Sequence, residues 1–196
     1  MREDEEKVEK DDKKDSSLSQ EIIDSAILER KIYLWSEIDD KVAEKIVRQL
    51  LFINSKSSDP ITLYINSPGG VISAGLAIYD AMQAIKAPVS TIVCGLAASM
   101  GSFLAATGTK GMRFAWPHAK ILIHQPLISG EIYGQATDIK IHAEEMLKTR
   151  SMLNSIYSQV TGKPLAQIEK DTDRDHYLSA AEAKEYGLLD EVKLVL

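Results

Sequence analysis

Only one cysteine, Cys94, stands in the 196 residues, so no intrachain disulfide can form. A lone thiol inside the apolar run VSTIVC reads as packing, and its solitude fits a reducing compartment. Cationic side chains are also short: 23 Lys and Arg face 29 Asp and Glu, for a formal charge of -6. Binding to nucleic acid would need a clustered basic surplus, so nucleic acid is not an expected partner. No stretch approaches the roughly 18 uninterrupted apolar residues of a membrane span. The start, MREDEEKVEKDDKKD, lacks the apolar segment of a secretory signal, which makes the cytoplasm the expected location. Neither GxxxxGK[ST] nor GxGxxG occurs, so the lysine and the spacing that make those nucleotide motifs specific are both missing.

What is present suits a compact enzyme-sized domain. Hydrophobic residues make up 44%, enough for one core at this length. Residues 1–17 mix both charge signs with almost nothing apolar and are expected to form a disordered tail, leaving 18–196 as a single domain. KIYLW (31–35), ITLYIN (61–66) and VSTIVC (89–94) read as strands. VAEKIVRQLLFI after Asp39 and Asp40, and VISAGLAIYDAMQAIK after SPGG, carry helical spacing. Strand, glycine turn and helix thus follow one another twice, which points to α/β architecture. Two further short strands, RFAW (113–116) and KILIH (120–124), precede a long helix over about 135–160. The remainder reads as a helix, a polar loop, a short helix capped by Ser179, and a last strand.

Two glycine turns stand out. SPGG at 67–70 lies where a strand meets a helix, so it reads either as a tight turn needing positive φ or as a nest of free backbone amides. In GLAASMG, Ser99 falls where a second strand passes into a helix, among neighbours with almost no side chain. There it reads either as an N-cap or as a nucleophile that a substrate backbone can approach. A nucleophile needs a base. Of the four histidines, His124 ends the apolar strand KILI, at the kind of sheet edge where sites gather, whereas His118, His142 and His176 fall in polar surroundings. An orienting carboxylate would come from Asp171, Asp173 or Asp175 in DTDRD, and spacing does not choose among them.

YINSPGGVISAG, GLAASMGSF, HAKILIHQP, GQATDIKIHAEEML and DRDHYLSAAEAKEYGLLDEV, taken together and in this order, resemble the proteolytic subunits of caseinolytic (Clp) proteases, the ClpP family. The resemblance runs from about residue 30 to the C-terminus. It implies a ClpP/crotonase-like α/β fold of repeated β-β-α units with a protruding handle over about 127–160. It implies Ser99 as nucleophile, His124 as base and Asp175 as orienting acid, with the amides of Gly70 and Met100 as the oxyanion hole. It further implies two stacked heptamers in contact through Asp173 and Arg174, and a partner AAA+ ATPase that spends ATP to feed in unfolded polypeptides. No cofactor and no metal are expected in the subunit itself. Two alternatives go with this reading: a dormant or regulatory paralogue in a mixed ring, and a crotonase-like acyl-CoA enzyme, which shares the paired amides but requires none of the three side chains.

Overall fold

The computed structural model describes residues 21–127 and 134–194. The expected N-terminal tail and the handle segment ISGEIY lie outside the described residues. A helix over 21–28, α1, leads into β1 (Lys31–Leu34), α2 (Asp40–Lys56), β2 (Ile61–Ser67), α3 (Ile72–Ala84), β3 (Val89–Ala98) and α4 (Met100–Ala106). Then come β4 (Arg113–Ala115), β5 (Lys120–Ile123), α5 (Ala136–Thr161), α6 (Leu165–Asp171), β6 (His176–Ser179), α7 (Ala180–Tyr186) and β7 (Glu191–Val192).

Local chemistry explains the main elements. Asp39 caps α2 by accepting the Val42 N–H at 2.8 Å, and Ala43, Ile46, Leu50 and Ile53 form its buried stripe at helical spacing. Ser179 and Glu182 close a capping box at the start of α7. β1, β2, β3, β4 and β7 lie side by side in that order, all parallel. Parallel strands covered on both faces need continuous apolar runs, as ITLYIN and VSTIVC supply. Ile61, Leu63, Ile65 and Val93 are fully buried.

β3 carries the design. Its first half pairs with β4 and its last three residues pair with β5, so β4 and β5 do not pair with each other. Between the halves the register against β2 jumps from Ile65↔Val93 to Ser67↔Ala97. The Asn66 side chain fills this irregularity by accepting the Leu96 N–H at 3.0 Å. A Cβ at Gly95 would lie 2.8 Å from that same Asn66 oxygen, so only glycine leaves room for it. The bulge turns the end of β3 toward β5 and delivers the chain to Ser99.

HYLS, expected within a polar loop, is instead the strand β6. It pairs antiparallel with β5, Ile123 opposite His176. Its short apolar content hides it, and the partner strand supplies the order.

An ion pair locks the far end of the sheet. Arg113 donates through Nη2 to Asp190 Oδ1 at 2.6 Å and through Nε to Oδ2 at 2.9 Å, and through Nη1 to the carbonyls of Ala106 and Val160. It therefore ties β4 to the ends of α4 and α5 and to the start of β7. Burial pushes the Asp190 carboxyl up, but the bonds from Arg113 and the Gly111 amide outweigh it and hold the group below its usual range. A depressed carboxylate stabilises the fold above its unfolded pKa, about 3.9, and loses that contribution as pH falls through the lower folded value. Arg113→Met should cost about 3 kcal/mol by stranding the carboxylate. Asp190→Asn should flatten the decline of the melting temperature below about pH 4.

Candidate active site

Ser99 sits in a backbone conformation that few side-chain-bearing residues tolerate, with φ 54° and ψ -122°. The surroundings hold it there. Its N–H donates to Leu122 O at 3.0 Å, and its carbonyl accepts the Phe103 N–H at 3.0 Å and the Ser102 hydroxyl at 2.7 Å. Ser102 Oγ also lies 3.0 Å from the Tyr157 hydroxyl, deep inside the base of α5. All seven residues of α4 are buried, so the turn is anchored in the core while Ser99 remains partly accessible.

The small neighbours are explained by close backbone packing. A Cβ on Gly69 would fall 2.6 Å from Ala98 O, 2.7 Å from Ser99 Cβ and 3.0 Å from Met100 N. One on Gly101 would sit 3.0 Å from Ser67 O. The SPGG turn therefore rests directly on the serine turn. Gly69 and Gly70 both have positive φ, 91° and 150°. Ile38 bonds to both residues flanking Gly70, donating to Gly69 O and accepting from Val71 N, each at 2.8 Å. In such a parallel bridge the N–H of Gly70 itself is not used by Ile38 and points away from it. Met100 opens α4, so its N–H has no carbonyl within the helix to bond.

His124 follows β5 immediately, and its side chain is largely buried. The antiparallel register that ends at Ile123↔His176 makes Asp175 the next residue opposite it. Their closest approach, Nδ1 to Oδ1, is 3.7 Å, beyond hydrogen-bond length, and the Asp175 side chain is 64% exposed. Gln125 fixes this corner, its N–H donating to Thr172 O and its side-chain amide to Asp173 O at 2.7 Å. Ser99, His124, Gly69 and Gly70 all line one open cavity of about 670 Å³.

The other aspartates of DTDRD are engaged elsewhere. Asp171 accepts hydrogen bonds from Gln167 and from the Tyr186 hydroxyl, both at 2.7 Å. Burial pushes its carboxyl up, but those two bonds and the nearby His176 and Lys163 bring it below its ordinary value. Asp173 lies 3.5 Å from Arg150 and 3.6 Å from Arg174. Cys94 is no rival nucleophile, because burial pushes its thiol up to about 11 and keeps it protonated near neutrality. Among the described residues, no three His, Cys, Asp or Glu side chains gather as a metal cluster would.

The family model described as Clp protease matches residues 12–194, nearly the whole chain. The chain belongs to the Clp protease family. It is a serine-type endopeptidase of the ClpP kind, and the mixed α/β fold is that family's fold. Membership also implies an oligomer that works with Clp ATPases. Among the described residues, no helix is long and apolar enough to cross a membrane.

Within this Clp protease subunit, the sequence reading overlooked the partners that hold the serine turn. Ser102 and Tyr157 are 55 positions apart, and nothing in either segment marks the contact. Tyr157 does show in the pattern of α5, where Leu153, Asn154 and Tyr157 are its buried residues. Its hydroxyl then needs a buried partner, and burial pushes its ionisation far up.

Proposed function

We propose that Ser99 Oγ attacks the scissile carbonyl of an unfolded polypeptide while His124 takes its proton. His124 then returns the proton to the leaving amine, and water hydrolyses the acyl-enzyme by the same steps in reverse roles. The amides of Gly70 and Met100 receive the oxyanion, a contribution on the order of 100- to 1000-fold in turnover per donor. Asp175 fixes the imidazole tautomer and stabilises its charged form. No metal or other cofactor takes part in this scheme. One observation carries the reading: the strained serine turn, the SPGG turn and His124 border a single cavity.

The gap of 3.7 Å between His124 and Asp175 supports a subunit whose acid closes on the base only on assembly. The proposed assembly is two stacked heptamers, joined through the α5 handle with Asp173 and Arg174 at the contact. The first half of α5 is exposed at every position but the half-buried Met146, yet carries Ile139, Ile141 and Leu147, apolar side chains that a facing ring would cover. A cytoplasmic AAA+ ATPase would deliver unfolded chains to the chamber, with ATP spent by that partner alone.

Native mass spectrometry with a peptidase assay on each separated species tests this scheme. The expected result is hydrolysis of a short fluorogenic peptide by the 14-mer alone, and of unfolded protein only once a Clp ATPase and ATP are added. Rings formed only with a second paralogue would make the subunit part of a mixed assembly. Full activity in a monomer would refute the assembly-dependent triad.

A further inference from the structure

The cavity beside Ser99 is bordered by two ionisable side chains, His124 and Glu37, and the scheme above gives Glu37 no task. Glu37 precedes Ile38, whose side chain is fully buried and whose backbone bonds to Gly69 and Val71. Glu37, by contrast, is exposed and borders the cavity. Among the described residues, its carboxylate meets no hydrogen-bond donor and no cation. The rest of the wall is neutral, with Val71, Ile72, Pro126 and Leu127 supplying apolar surface.

We infer that Glu37 is a specificity-determining residue that makes this cleft favour polypeptides with a Lys or Arg close to the cleaved bond and disfavour Asp or Glu there. The inference rests on the proposed role of Ser99. A peptide whose carbonyl lies at Ser99, beside the amide of Gly70, runs along the backbone to which the Glu37 segment is bonded. A substrate ammonium or guanidinium then meets an unpaired carboxylate, while a substrate carboxylate meets repulsion. The formal charge of -6 adds to the same bias. An exposed pair of this kind shifts rates modestly, so attraction and repulsion together should separate Lys from Glu substrates by roughly five- to ten-fold.

The test uses the assembled enzyme and quenched fluorogenic peptides of one sequence, with Lys, Gln or Glu placed in turn at each of three positions on either side of the cleaved bond. The readout is the ratio of kcat/KM for the Lys peptide to that for the Glu peptide at each position. In the wild type at least one position should favour Lys, and the preference should fade in 1 M salt, where the screening length is about 3 Å. Glu37→Gln should abolish the preference, and Glu37→Lys should reverse it. A ratio that is the same in all three proteins, while the Gln peptide is cleaved, would overturn the role of Glu37 and leave the protease reading standing. Failure of the wild-type oligomer to cleave any peptide would instead bring down the reading of Ser99, and this inference with it.

Discussion

Ser99→Ala is expected to abolish peptide hydrolysis, by on the order of a million-fold, with the oligomer and its melting temperature nearly unchanged. Activity falls because only the attacking oxygen is removed. Stability holds because the bonds that fix the turn come from its backbone: the N–H to Leu122 O, and the carbonyl to Phe103 N and Ser102 Oγ. Alanine keeps the Cβ that already fits at φ 54°. Steady-state assays with a fluorogenic peptide, alongside thermal melts, separate the two effects. A variant that loses activity and unfolds together would show that the hydroxyl serves structure.

Asp175→Asn should cost about 10,000-fold in kcat while the rings stay intact, because an amide opposite Nδ1 favours the wrong imidazole tautomer. The two residues face each other at the end of the β5–β6 ladder, and among the described residues the exposed carboxylate has no other ion pair or hydrogen bond for the mutation to disturb. The active assembly should bring the pair from 3.7 Å to about 2.8 Å, the length of a charge-assisted bond. Asp171→Asn serves as the control. It loosens the link from Tyr186 to α6 and should lower the melting temperature, with kcat per folded enzyme little changed. Loss of turnover in Asp171→Asn, with Asp175→Asn unaffected, would move the orienting acid to the neighbouring turn.

Much of the fold was legible because its elements repeat a period. Helix α2 shows a stripe and a cap, β2 an apolar run, and α5 a long pattern ended by Gly162 in the left-handed conformation. The extension of β3 to Ala98 was not legible, since GLAA has neither the bulk nor the branching of a strand. The side chain of Asn66, about 30 residues away in sequence, makes that extension possible by taking the place of a main-chain acceptor. Strand β6 was hidden for a related reason: its order comes from β5 rather than from its own residues.

The site divides along the same line. Ser99 and the glycines stand out in sequence as a hydroxyl among small residues at a strand end, a pattern that an N-cap and a tight turn fit equally well. Spacing alone left the acid undecided among three aspartates of one loop. The antiparallel register separates them, placing Asp175 opposite His124 while Asp171 turns to Tyr186 and Asp173 to Arg150 and Arg174. Glu37 gave no signal in sequence, since its place in the cavity wall depends on Ile38 pairing with Gly70 across a distant turn.

The most direct test of the account is to treat the native oligomer with a fluorophosphonate and map the adduct by peptide mass spectrometry. One adduct, on Ser99, forming at least a hundred-fold more slowly in His124→Ala, is the predicted result. An adduct on another residue, or none in any assembly state, would contradict it.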